Sequence, residues 1–351
     1  NMRTGGDDVA QALALIGARP TWEPASGRVT GFTITPLSEL KRPRVDVTFR
    51  VSGLFRDAFP MQMDLIDSAV RAIAALDEPD EANPLAAHAR ATAAKLRREG
   101  ASAAEAERRA ATRVFGAKPG AYGAGLQAMI DEQGWSDRGD LAGVYLSWGS
   151  YAYGGGAIGA PARDDFVQNL SRTDAVVQAQ DNREHDILDS DDYYQFMGGL
   201  ATTVQHLRGT APKTFHVDTS RPETPITRPL SREISRIVRG RATNPKWIAG
   251  VMRHGYKGAF EIAATVDYLF GFAATTDAVG DHHFDQVFAA YVEDDAVRAF
   301  MLEANPSAFD ETVDRFQEAI RRELWHPRSN TAASTLAGLS RHSRNRQGET
   351  A

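Results

Sequence analysis

The chain has 351 residues, 42% of them apolar and 25% charged, with a net charge of −6. Those values suit an ordinary globular chain with room for two or three modest domains, and no lobe is basic enough for a general nucleic-acid binder. The absence of cysteine excludes disulfides, thiolate metal sites and thiol nucleophiles, and it fits a reducing cytoplasm. No apolar run reaches the roughly 18 residues that span a bilayer, and no signal peptide is visible.

Residues 1–58 read as an α/β segment. MRTGGDD leads into an apolar-periodic helix over 9–16 that stops at Gly17, with Pro20 beyond. Residues 29–35 and 45–52 are rich in β-branched and aromatic side chains and predict strands. Arg44, Asp46, Arg50, Arg56 and Asp57 crowd into one short span. They read either as a structural ion-pair network or as an anion clamp built on the guanidinium fork. Residues 59–160 predict a helical arm and glycine-rich loops. Pro60 opens a helix to about residue 75, and 85–114 is Ala-, Arg- and Glu-rich, helical except at Gly100, with i,i+4 charge pairs that suit a docking surface.

The loop RVFGAKPGAYGAGLQ carries four glycines, but Lys118 precedes the later ones. That order fails the Walker pattern, so the chain is not expected to hydrolyse ATP itself. A second glycine cluster, YLSWGSYAYGGG, sets Trp148, Tyr151 and Tyr153 on a flexible backbone, as a wall for a flat ligand or as a packed loop.

Residues 161–330 predict a mainly helical domain, beginning with an amphipathic helix over 162–178. In REHDILDSDDYYQF, His185 and Asp186 could share a divalent ion, whereas the later aspartates suit a helix start. The proline-rich stretch 209–230 holds one strand near 215–217, and a basic helix follows at 231–241. In NPKWIAGVMRHGYKGAFEIAATVDYLFGF, at 244–272, Ile248, Val251, Gly255, Ala259, Ile262, Val266 and Leu269 fall on one side of a helix. His254, Lys257, Glu261, Thr265 and Tyr268 form a second stripe. It is either a solvated polar face or the edge of a cavity. Gly255 and Gly258 suggest close backbone packing, since each costs a helix about 1 kcal/mol relative to Ala. His282 and His283 read as surface residues. Two further helices are expected at 294–304 and 307–324, and 331–351 reads as a flexible tail.

These motifs, taken in order, resemble the C-terminal part of the CobN-type large subunit of aerobic cobaltochelatase, a relative of the magnesium chelatase H subunit. The resemblance implies a mixed α/β, predominantly helical portion of a larger multidomain subunit. It implies a cytoplasmic, ATP-dependent chelatase in which Co2+ is the substrate ion and a corrinoid-precursor tetrapyrrole, hydrogenobyrinic acid a,c-diamide, is the acceptor. ATP and Mg2+ belong to partner subunits, an AAA+ ATPase and its adaptor. The family's HGT-E-PGK-type motif is absent from these residues, so the chain alone is expected to be inactive. On this reading His254, Glu261 and His185 serve as base or metal relay, and Asp186 joins them as a metal ligand. Arg3, Arg50, Arg56 and Lys257 hold carboxylate arms, and Trp148 and Tyr151 wall the ring. Two alternatives are a magnesium chelatase H-type subunit acting on protoporphyrin IX, and a non-catalytic scaffold that docks the motor.

Overall fold

Glycines, prolines and apolar periodicity divide the chain into helices around three small sheets. The computed structural model describes residues 6–348, with side chains to residue 340. It is mixed α/β and predominantly helical, as expected. Strands β1 (Ala18–Trp22) and β2 (Val29–Ile34) form an antiparallel ribbon behind the first helix, Asp7–Ile16. The second sheet has the order β3-β4-β5-β6: β3 (Phe49–Arg50), β4 (Val114–Gly116), β5 (Tyr151–Gly154) and β6 (Ala157–Pro161). The third runs β7-β8-β9, from β7 (Ala175–Gln180), β8 (Lys213–Asp218) and β9 (Ile226–Pro229), with β7 and β8 parallel.

Strands therefore reach well beyond the N-terminal segment. The helix expected over 162–178 ends at Leu170, and its last third is β7. AVVQAQ is a strand because β8 pairs with all six of its residues, a tertiary contact that overrides weak local preference. Likewise the aromatic glycine cluster is the β5–β6 hairpin, with Tyr153 buried and its hydroxyl donating to the Ala117 carbonyl at 2.5 Å.

Two cores result. The smaller packs Leu13, Ile16, Ile66, Val70 and Ile73 against the ribbon and second sheet. The larger surrounds the helix Tyr256–Thr275, in which Ala259, Ile262, Val266, Leu269, Phe270 and Phe272 are fully buried. The predicted apolar stripe is thus the core face. The single rod expected over 244–272 is instead two helices, Pro245–Met252 and Tyr256–Thr275, hinged at Gly255. Gly255 takes φ 56° and ψ −128°, a conformation nearly closed to other residues.

Two other expectations change. The tail is helical from Ala332 to Gly348, and Leu336 is buried in the larger core because residues 332–340 lie on the helix Pro306–Arg321. His283, expected at the surface, is 2% exposed. Its Nδ1 accepts from the Gly280 N–H at 3.0 Å, so Nε2–H faces the Ser235 hydroxyl at 2.7 Å. Burial, with His282 and Arg239 adding repulsion, pushes this imidazole down to about 4. Between that value and the unfolded value of about 6.5, the unfolded chain binds more protons. Stability from this residue is therefore complete above about pH 6.5 and drains away as pH falls toward 4. His283→Gln, which keeps an acceptor and a donor, is expected to flatten that acid slope in urea melts. An unchanged slope overturns the assignment.

Candidate functional site

The segment Asp186–Gly198 organises the residues singled out above. It leaves the carboxyl end of β7, which is parallel to β8, a position where open sheets leave crevices. Ser190 caps a short helical turn that runs into a π-helical turn, Tyr194–Gly198. Such turns recur at functional positions. Tyr194 lies against the Cα of Gly271, where an added Cβ would meet its ring at 2.6 Å, and beside the Tyr268 ring at 6.3 Å. Phe196, two residues on, faces Arg50.

Among the described residues Arg50 is held apart from every acid. Its guanidinium lies 5.6 Å from the Tyr145 ring centre and 5.1 Å from that of Phe196. Nη1 donates to the Val51 carbonyl, Nη2 reaches the Gly123 carbonyl at 3.5 Å, and the buried Nε has no partner. Among the described residues no carboxylate pairs with it, whereas Arg44 meets Glu78 at 2.7 Å and Arg113 meets Asp46 at 2.7 Å. Burial lowers the pKa of Arg50, the direction expected of a cation lacking a counter-ion. The glycine loop and Trp148 close this corner: Gly123 accepts from Arg50, and Gly125 lies flat against the Trp148 indole. Tyr151 is half-buried in β5 against the smaller core.

Arg56 reads differently. It grips Asp57 with two bonds, at 2.6 and 2.9 Å, and donates to the carbonyls of Ala117, Lys118 and Ala121. Donation from Arg56 and from the Tyr122 hydroxyl holds the Asp57 carboxyl down to about 2. With its donors committed to the loop, Arg56 is a structural clamp, which is the ion-pair reading of this span. Arg3 lies outside the described residues.

Arg241 is the hub that sequence reasoning missed. It binds both oxygens of Asp186, at 2.6 and 2.9 Å, reaches Asp189 at 3.1 Å and donates to Thr265 Oγ1 at 3.1 Å. Its guanidinium also covers the Trp247 ring at 4.9 Å. It thereby ties the acidic loop to both helices of the predicted motif. Its only signal was its place at the end of a basic helix. Both oxygens of Asp186 are turned to Arg241, and Oδ1 also accepts from the Leu188 N–H at 2.9 Å. The His185 Nε2 meets the Tyr193 hydroxyl at 2.9 Å instead. Each member of the expected His185–Asp186 metal pair thus has another side-chain partner in this structure.

His254 and Glu261 do come together. They sit on either side of the Gly255 hinge, with Nδ1 3.9 Å from the carboxylate, and Lys257 Nζ stands 3.9 Å from the other oxygen. These are ion-pair distances, too long for direct hydrogen bonds. Side-chain exposures of 58% for His254 and 79% for Lys257 place this edge at the surface rather than inside a recess of the chain. Tyr256 and Phe260, one stripe over, are exposed aromatics at 69% and 53%. Among the described residues no three His, Asp or Glu side chains are grouped to hold a metal ion. This edge can offer an imidazole, a carboxylate and an ammonium beside two apolar rings. No helix among the described residues is long and apolar enough to cross a membrane.

Comparison with known proteins places this geometry. Residues 1–332 match the family model described as CobN/Magnesium Chelatase. The aerobic cobaltochelatase subunit CobN of Sinorhizobium sp is 61% identical over 97% of the chain and 26% of that protein. The chloroplastic magnesium-chelatase subunit ChlH of Oryza sativa subsp. japonica is 36% identical over 93% of the chain and 23% of that protein. The solved catalytic subunit of cobaltochelatase from Mycobacterium tuberculosis superposes with a TM-score of 0.93 at 46% identity, covering 98% of this chain and 29% of that one. The chain thus spans about a quarter of the length of these relatives. With its fold and nearly all its length shared with them, the chain belongs to the CobN/magnesium chelatase family.

Proposed function

We propose that this chain forms one wall of the tetrapyrrole- and metal-handling cavity of a cobaltochelatase large subunit. The observation that carries the cobalt assignment is the gap in identity, 61% to the CobN subunit against 36% to the magnesium-chelatase subunit. The reaction would insert Co2+ into hydrogenobyrinic acid a,c-diamide, with ATP hydrolysed by an AAA+ subunit working through an adaptor. The helical hairpin Pro84–Arg98 and Ala103–Ala110, which has a small core of its own, offers those partners a docking arm.

Metal insertion requires loss of the ring N–H proton, exchange of water from the ion and access to the nitrogen lone pairs. An imidazole with an acid beside it suits proton removal, and both can exchange with water on a divalent ion. His254 with Glu261 fills that role, and the exposed Tyr256 and Phe260 give a flat ring an apolar face. Lys257 and Arg50 take its carboxylate arms. The surface position of the His254 edge suits a wall that the remaining portion of a full-length subunit would cover.

His254→Ala, placed in a full-length cobaltochelatase subunit carrying this chain in place of its own matching portion, is expected to slow cobalt insertion by about 10²- to 10⁴-fold, the range of positioned acid–base groups. Insertion at the parent rate with unchanged cobalt affinity removes His254 from the mechanism. Titration of the same protein with a corrinoid precursor and with protoporphyrin IX separates the cobalt reading from the magnesium one.

A further inference from the structure

A second charged feature is built on the edge strand β9 of the β7-β8-β9 sheet and the helix that follows it. Strand β9 and the helix Leu230–Ile237, with its π-helical extension Val238–Ala242, enclose an open recess of about 450 Å³. Four arginines line it: Arg228 from β9, and Arg232, Arg236 and Arg239 from the helix and its extension. Spacings of four and three residues put the last three on one face, about 10 Å from end to end at 1.5 Å per residue.

Two of the four are built in from behind. Glu233, 1% exposed, takes both oxygens to Arg236, at 3.0 and 3.1 Å from Nε, and stands 3.4 Å from Arg228 Nη1. Asp218, 7% exposed, stands 3.8 Å from the same Arg228 nitrogen and also pairs with Arg183. Arg228 Nη1 is nonetheless buried without a hydrogen-bond acceptor. The other two, Arg232 and Arg239, are exposed and have no carboxylate partner among the described residues. One buried glutamate is thus shared between two guanidiniums, and the recess keeps a surplus of positive charge on a chain whose net charge is −6.

We infer that this recess is a binding site for a compact phosphate-type oxyanion, a function separate from the tetrapyrrole wall. Guanidinium forks that converge from two elements match oxygens set on one tetrahedral centre or two linked ones. A volume of about 450 Å³ falls in the range of small-ligand sites. The roughly 10 Å reach of the helix face equals only three residues of extended peptide at about 3.3 Å each. An acidic polypeptide would therefore need three consecutive carboxylates to use it, whereas the long arginine stems can bring their forks together on one diphosphate. Glu233 and Asp218 serve to orient Arg228 and Arg236, and the unpaired Arg232 and Arg239 supply the attraction.

Calorimetric titration of the chain with inorganic phosphate, diphosphate and ADP tests this. Saturable 1:1 binding of diphosphate is expected, weakened at least 10-fold in the Arg232→Ala/Arg239→Ala double variant. Its melting temperature should match the parent's, since both side chains are exposed and neither has a carboxylate partner among the described residues. ADP binding no tighter than diphosphate assigns the site to free phosphates, and tighter ADP binding that also depends on Arg232 and Arg239 assigns it to a nucleotide. Absence of saturable binding, equal binding by the double variant, or a hexa-glutamate peptide binding more tightly than diphosphate overturns the inference.

Discussion

Arg50→Met is expected to leave the fold as stable as the parent while weakening a carboxylated tetrapyrrole by about 10- to 100-fold. The two halves of that expectation come from one fact, a half-buried guanidinium whose buried Nε has no partner and which has no carboxylate beside it among the described residues. Burying a charge without a counter-ion costs several kcal/mol, which the native chain carries with only two carbonyls and two aromatic faces in return. Methionine removes the charge and still packs against Tyr145 and Phe196. Charge-assisted hydrogen bonds contribute about 1.5–3 kcal/mol each, and a tenfold change in affinity is about 1.4 kcal/mol, hence the predicted loss in binding. Arg56→Met is the contrast. It takes the donor away from the carbonyls of Ala117, Lys118 and Ala121, so it should lower stability by about 2–4 kcal/mol. Urea melts of both variants, with tetrapyrrole titration followed by quenching of Trp148, distinguish the two arginines. If Arg50→Met melts well below the parent and binds normally, Arg50 is a structural residue and the arm-holding role is lost.

The difference between Arg50 and Arg56 was not legible in the sequence. Both stand in one run of alternating charges, and adjacency correctly paired Arg56 with Asp57. The partners of Arg44 and Asp46 lie 34 and 67 residues away, at Glu78 and Arg113. His88 and Arg113 together hold Asp46 well below the usual carboxylate range, against the burial that pushes it up. The core face of the long helix was legible, because an apolar stripe at helical spacing depends only on local geometry. Helix starts were legible for the same reason: Asn83, Asn244 and Asn305 each cap a helix whose next residue is proline. Short strands and the Arg241 hub were not, since their definition comes from residues far along the chain. His185 illustrates the limit. Sequence proximity to Asp186 suggested a shared ion, and a guanidinium 55 residues away took the carboxylate first.

The glycine pair at the hinge carries the largest expected effect on stability. In an exposed helix, Gly→Ala gains about 1 kcal/mol. At Gly250, where the nearest atom to an added Cβ is 3.8 Å away, that gain should be seen. At Gly258 the added Cβ would stand 2.0 Å from the Val251 carbonyl oxygen, and that oxygen belongs to the backbone of the preceding helix, which accepts the His254 N–H at 2.9 Å. Neither side can yield without opening the turn, so Gly258→Ala should cost on the order of 3 kcal/mol or more, the scale of severe overpacking. Opening the turn also moves His254, which precedes the hinge, away from Glu261, which follows it. Gly258→Ala should therefore lower the melting temperature by several degrees and slow cobalt insertion together, while Gly250→Ala raises the first and leaves the second alone. A Gly258→Ala chain melting within a degree of the parent would mean the junction has slack, and the 3.9 Å approach of imidazole to carboxylate would then not be set by the close packing of these two helices.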